Sequence, residues 1–393
     1  MSRICKRLLL ASSMIGTGLA VPQLAMAQVV DGSTYAGQAQ LQVAQGVHTN
    51  ALLTDMSECE VALLCEARQK VTWIGTLDYV DGGQDGDFLS APYGYDRITG
   101  MVGAQFALSD EAFAGIALGY ANRNLDFEDT VSDSFDLSGP TIGAYIGFDD
   151  GVGPYAKAVG SYSWWGGDAE RATTSGDVDM TQWTLGAHVG YHWAFSDTAS
   201  ATPYIHVDHS SLSFDGLSED GATSDALVFV DKDEARTYST IGAKFGADIN
   251  WVIAEIDLGW RHMFGPQRAR LDTDCVGCPS SLYSNWEERD SALIGLSFGG
   301  MVGNADVKLG YQALFNGARE EHSGGIRIRF PFGERPVSVI VPPSPPADLP
   351  PPPPPAPATI TCPDGTVILA TDPCPPPPPP PAPPPPMPEP ERG

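Results

Sequence analysis

The chain has 393 residues, 42% of them hydrophobic, with 43 glycines, 35 prolines and a formal net charge of −27. So acidic a protein repels phosphate backbones, which excludes nucleic acid as a partner. Beyond the first residues no run of about 18 apolar residues occurs, so no helix of the exported chain is expected to span a bilayer.

In chain order, Met1–Arg7 is basic, an apolar stretch runs from Leu8 to Ala20, and Ala25-Met26-Ala27 offers a small-x-small cleavage site. Residues 1–27 therefore read as a cleaved export signal, with Gln28 as the new N-terminus. Cys5 lies in the basic region and not at the cleavage junction, which argues against a lipid-anchored end. The remaining cysteines form three close pairs: Cys59/Cys65, Cys275/Cys278 and Cys362/Cys374. Local pairing closes the smallest loops and suits an oxidising periplasm. Cys275-Val-Gly-Cys278 also has the spacing of half a zinc site or a redox pair, but no second CxxC or flanking histidine accompanies it, so a loop-tip disulfide is expected.

Residues 28–69 form a short lead-in, with Gln38–Gln45 and Asn50–Arg68 weakly helical in composition. It offers no space for a folded exported segment. From Lys70 to Phe332 one unit repeats about twelve times: roughly 10–16 residues of apolar–polar alternation and then a turn, with turns alternately short and long. The expected strands are Val71–Val80, Asp96–Leu108, Ala112–Leu125, Phe135–Phe148, Val152–Trp165, Val178–Phe195, Ala199–Phe214, Arg236–Ile249, Trp251–Phe264, Trp286–Phe298, Val302–Phe315 and Arg319–Phe332. Tight turns are expected at Ser109–Glu111, Asp149–Gly151, Ser196–Thr198, Asn250 and Gly299–Met301. This double alternation predicts an all-β fold: a closed antiparallel transmembrane barrel of about 12 strands, with residues 70–332 as its wall. A soluble β-sandwich gives no reason for turns that alternate in length.

The pleat sorts side chains by face. In Trp183–Phe195 the odd positions suit lipid, while Gln182, Thr184, His188 and His192 face inward. In the last strand Ile326, Ile328, Phe330 and Phe332 alternate with Arg327 and Arg329. A charge facing lipid near the midplane costs ~2–4 kcal/mol, so this segregation fixes the register. Aromatics such as Trp164, Trp165, Trp193, Trp251 and Trp260 cluster near strand ends, as interfacial girdles require.

The charges placed inside are Asp78, Arg97, Lys157, Lys244, Glu255, Asp257, Arg261, Asp306, Lys308, Arg327 and Arg329. They fit a polar channel, or an ion-paired lumen sealed by a plug, since small barrels are usually filled. Ala51–Arg68 is a candidate plug. Cys59 and Cys65 would lie ~9 Å apart along a helix axis, so a bond between them requires a turn there. His206-Val-Asp208-His209-Ser210 invites a hydrolase reading, with His206, Asp208 and Ser210 pointing in, but nothing marks an oxyanion hole, and no catalytic residue is assigned. Asp81–Asp87 looks like a calcium loop yet lacks the bidentate glutamate, so it reads as an exposed turn and no metal ligand or cofactor is expected. Residues 333–393, dominated by proline, form an extended tail that could reach on the order of 150 Å.

Tyr95–Asp110, Ala114–Tyr120, Leu185–His192, Thr202–Ile205 and Leu258–Gly265 resemble, in order, motifs of the autotransporter β-domain family. The resemblance implies a twelve-stranded outer-membrane translocator barrel whose lumen can hold a helix. Phe330 and Phe332 resemble the terminal aromatic signal read by the barrel-insertion machinery, and the tail around Cys362 and Cys374 resembles the periplasmic linker of OmpA-family proteins. The expectation is thus a structural or surface-interaction barrel, without a sizeable passenger and with at most a narrow pore, in a Gram-negative outer membrane. Its tail would lie in the periplasm and its long loops outside. The alternatives are a passive channel for small polar solutes or export of a short N-terminal segment, and, from another class, a membrane hydrolase. Expected partners are outer-membrane lipid and lipopolysaccharide, the insertion machinery, and cell-wall components reached through the tail.

Overall fold

A computed structural model describes residues 32–58, 71–128, 133–149, 151–171, 174–196, 198–221, 226–249, 252–275, 277–332 and 358–376. The wall consists of β1 (Val71–Gln84), β2 (Tyr93–Ala107), β3 (Ala112–Phe127), β4 (Ser134–Phe148), β5 (Gly153–Arg171), β6 (Thr174–Ser196), β7 (Ala199–Phe214), β8 (Lys232–Ile249), β9 (Val252–Phe264), β10 (Asp290–Val302), β11 (Ala305–Phe315) and β12 (Arg319–Phe332). Each strand pairs antiparallel with its sequence neighbours. The circle closes where β1 meets β12, from Val71 opposite Phe332 to Gln84 opposite Arg319. Closure leaves no unpaired edge, the condition for a sheet to sit in hydrocarbon. A two-residue strand, Asp220–Gly221, adds to the free end of β6.

Outward side chains are apolar and unburied by protein: Leu77, Ile116, Leu185, Ile256, Leu296 and Leu309 are 43–60% exposed. Most side chains of the opposite parity are buried in the lumen, whereas Glu255, Asp257 and Arg261 on β9 are partly buried.

Several boundaries differ from the expected ones. Residues such as Asp81–Gln84, expected in a turn, continue β1, and β5 and β6 run on to Arg171 and back from Thr174. These extensions lie at the long-loop rim, where both faces are polar and alternation fades. Gly299 and Gly300, expected to turn, sit in β10 opposite Lys308 and Val307. The turn comes instead around Gly303, whose φ of 65° suits glycine. Trp286 belongs to the preceding loop, where its N–H donates to Asp87 at 2.8 Å. The expected start of β9 at Trp251 lies outside the described residues.

One helix, α1 (Ser33–Ser57), runs inside the barrel, and 20 of its 25 residues are buried. It begins earlier than the expected plug, and residues 59–70, with Cys59 and Cys65, lie outside the described part. Its composition is rich in glutamine, alanine and threonine with little apolar periodicity. Polar and apolar wall groups meet it on different sides at different heights, so no single apolar stripe is needed. Gly46 marks its closest approach to the wall: a Cβ there would lie 2.4–2.5 Å from Gln182, Thr184 and Ser210.

In the loop between β9 and β10, Arg270–Asp272 pairs with Ser281–Tyr283, and a Cys275–Cys278 disulfide closes the tip. Residues 337–393 form a separate unit. Its described part is a small hairpin, Thr359–Thr361 against Val367–Leu369, stapled by Cys362–Cys374.

Candidate functional site: the occupied lumen

Three tiers of contact hold α1. At the long-loop rim its first turns enter an apolar cluster. The Tyr35 ring lies 5.0 Å from Phe135 and 4.6 Å from Phe229, and Leu41 and Val43 join Phe127, Phe214, Leu271 and Leu282. The Tyr35 hydroxyl donates to Glu219 at 3.0 Å. Glu219 also receives two bonds from Arg171, at 2.9 and 2.5 Å, and the Leu227 N–H at 2.8 Å. Burial alone would raise the Glu219 carboxyl, but these donors hold it below its ordinary value. Loops and helix thus form one lid.

The middle tier is an amide ladder. Gln42 Nε2 donates to Gln182 at 2.8 Å, and Gln182 donates back to the Gln42 carbonyl at 2.7 Å. Gln40 donates to Glu287 at 3.0 Å and accepts from Ser284. Asn50 donates to Asp208 at 3.1 Å and accepts from Ser161 at 3.0 Å. Each bond satisfies a buried polar group that would otherwise be costly.

The lowest tier joins ion pairs to an apolar cluster, in which Leu53 and Met56 pack with Ile74, Met101, Phe113 and Tyr145. Asp55 meets Lys308 at 3.2 Å and Arg327 at 3.1 Å, and Glu58 meets Lys244 at 2.5 Å. Arg327 and Arg329 also donate to the carbonyls of Asp55 and Glu58, at 2.5 and 2.6 Å. Cations therefore cap the negative end of the helix dipole as well as its acidic side chains.

Most of the charges read as inward from alternation have side-chain or backbone partners. Asp78 takes His48 of α1 at 2.7 Å, Lys157 lies 3.6 Å from Asp149, and Glu255 lies 3.7 Å from Lys308. Asp257 accepts from Tyr204 at 2.9 Å, Arg261 donates to Thr240 at 3.3 Å, and Asp306 stands 3.9 Å from Arg327 and 4.0 Å from Arg329. Arg97 donates to the Gln45 carbonyl at 3.4 Å. Alternation alone also points to Arg123, Arg236 and Arg319, which share the inward parity of their strands. Glu219 and Glu287, in loops, carry no such signal.

The Ser–His reading does not assemble. Ser210 accepts from Gln182 at 3.0 Å and from Thr184 at 3.1 Å, while His206 stands 3.2 Å from Asp208. Four residues along one strand separate His206 and Ser210 by about 13 Å, beyond any hydrogen bond. Among the described residues, no group of three or more His, Cys, Asp or Glu is placed to hold a metal ion.

Opposite the wall that α1 touches, a cavity of about 190 Å³ remains, bordered by His48, Asp78, Glu255, Arg261 and Lys308. It exists because β10, β11 and β12 present Gly295, Gly310 and Gly325 there. A second, smaller cavity of about 20 Å³ shares His48 and Arg261 with it and reaches Glu287, Arg319 and Glu321. Arg319 bonds Glu321 at 2.5 Å and Glu287 at 3.4 Å, so ion pairs narrow the path between the rims.

A profile of the autotransporter β-domain family matches residues 73–312. The fold is similar to the translocator domain of the autotransporter NalP from Neisseria meningitidis, at 17% identity and a TM-score of 0.61, over 77% of this chain and 99% of that one. It is also similar to the transport unit of the autotransporter AIDA-I from Escherichia coli, at 16% identity and a TM-score of 0.52, over 76% of this chain and 100% of that one. A search of curated proteins returned no match.

Proposed function

Since the chain belongs to the autotransporter β-domain family and is a translocator barrel of the Gram-negative outer membrane, we propose that it works as a barrel held shut by its own helix. It serves a structural or surface-interaction role with at most a narrow pore. The observation that carries this reading is α1 itself, bonded to the wall at three levels. The short-turn rim faces the periplasm, the long loops face outward, and the proline-rich tail spans towards the cell wall. Lipopolysaccharide and outer-membrane lipid contact the apolar exterior, and Phe330 and Phe332 present the signal for the insertion machinery.

In planar bilayers the full chain is expected to be nearly silent, while a variant lacking residues 33–57 opens steadily. Steady openings from the full chain would overturn the reading in favour of passive diffusion of small polar solutes. A second reading, export of a short N-terminal segment, is favoured by the polarity of α1, whose first turn lies among the long loops. An epitope inserted after Gln28 should then be labelled on intact cells, and its protection from label would exclude that export.

A further inference from the structure

Arg97 on β2 and Arg123 on β3 stand directly opposite each other in the strand register. Both point into the lumen, and they are 1% and 0% exposed. Each gives one Nη1 bond to the same helix residue: Arg97 to the Gln45 carbonyl at 3.4 Å, Arg123 to the Gln45 side-chain oxygen at 3.0 Å. Among the described residues, the Nε and Nη2 of both guanidinium groups have no hydrogen-bond partner, and neither does Nε2 of Gln45. Trp165 covers Arg123, its ring centroid 5.8 Å from the guanidinium carbon.

Other buried arginines each meet a carboxylate: Arg171 meets Glu219, Arg236 meets Glu287, Arg319 meets Glu321 and Arg327 meets Asp55. Arg97 and Arg123 have none within ion-pair distance among the described residues. Directly opposed like charges repel, and an unpaired charge away from water is a severe cost. Asp78 and Glu321 act on Arg97 only from beyond ion-pair distance, so an anion between the two guanidinium groups would relieve the repulsion that remains.

We propose that Arg97, Arg123 and the Gln45 amide form a buried binding site for a small inorganic anion, of which chloride is the simplest. The unpartnered side-chain atoms of Arg97, Arg123 and Gln45 are all nitrogen donors. A water molecule placed there must aim its own hydrogens at some acceptor, whereas a halide only accepts. Neither cavity described above includes Arg97 or Arg123 in its lining, so the site is separate from both. The bound ion ties α1 to β2 and β3, well away from the ionic anchor at Asp55.

The test is thermal unfolding of the full chain in detergent, followed by circular dichroism. It compares increasing sodium chloride with sodium gluconate at matched ionic strength, because gluconate is too bulky for the site. The melting temperature should climb by several degrees with chloride and stay level in gluconate. Arg123→Gln should lose the chloride response and melt higher than the parent in gluconate, because the repulsion is gone. If that variant does not insert, Gln45→Leu, which removes one donor together with the oxygen that accepts from Arg123 and keeps both cations, should weaken the chloride response. Crystals soaked in sodium bromide should show an anomalous peak between the two guanidinium groups. Equal responses of the parent to both salts, an unchanged chloride response in the variants, or a bromide map without that peak would each overturn the proposal.

Discussion

The two ends of α1 are held by different forces. At Tyr35 the grip is aromatic and apolar, shared with Phe135 and Phe229 under a lid of loops. At Asp55 and Glu58 the contacts are between ions, with Lys244, Lys308 and Arg327. Apolar burial is nearly indifferent to salt, whereas partly hydrated ion pairs weaken as ions screen them. One helix therefore carries an upper anchor that is mainly apolar and a lower one in which ion pairs, added to the packing of Leu53 and Met56, give a larger response to ionic strength.

The sharpest way to break this comparison is at the top. Tyr35→Ala removes a fully buried ring and the hydroxyl that donates to Glu219. Losses of this kind cost about 3–5 kcal/mol. The expected outcome is a barrel that still forms but whose bilayer recordings show frequent openings, and more of them as salt rises, because the salt-sensitive lower anchor is left to hold the helix. Openings no more frequent than in the parent would mean that the apolar tier is not the main lock.

A smaller effect is expected at the bottom. Arg327→Gln removes the 3.1 Å ion pair to Asp55 and the bond to its carbonyl. Breaking a buried pair costs ~3–5 kcal/mol, and the partial exposure of Asp55 reduces this to roughly 1–3 kcal/mol. Openings should be rarer than in Tyr35→Ala, and raising the salt concentration should make the parent behave increasingly like the variant. A parent whose conductance does not change with salt would place the lower anchor elsewhere.

The contrast also explains what the sequence could and could not reveal. Wherever strands cross lipid, hydrocarbon sorts one face from the other, and Leu185, Ile256 and Ile328 alternate with His188, Asp257 and Arg327 in plain view. The same parity marks Arg123 as inward. Above the lipid both faces meet water, and the alternation that locates a strand disappears, so Asp81–Gln84 looked like a turn. The glycines at 299 and 300 carried a turn signal although the wall simply continues through them. The plug was harder to place because polar and apolar contacts meet it in patches and not along one side. A helix of glutamines and alanines inside a barrel leaves no apolar stripe, and its start at Ser33 shows only in three dimensions. Glu219 and Glu287, which complete ion pairs from distant loops, follow from chain folding and from no local pattern.

The smallest expected effect concerns acid and the lid. Arg171, the Leu227 N–H and Tyr35 hold the Glu219 carboxyl below its ordinary value, against the upward pull of its burial. A carboxyl depressed in the folded state contributes stability above its unfolded value, ordinarily 4.5, and loses it as pH falls through the lower folded value. The lid should therefore be fully closed at neutral pH and begin to loosen only below about pH 4. Loosening exposes the loop between β7 and β8, so the readout is the rate at which an acid-active protease cuts residues 215–231 in the detergent-solubilised barrel. A few-fold rise in cutting as the pH drops from 5 to 3 is the expected result. In Glu219→Gln, which cannot ionise, the loop should be cut faster already at pH 5, and the rate should change little on acidification. Equal pH dependence in parent and variant would remove Glu219 as the titrating group and leave the aromatic contacts as the sole closure of the upper rim.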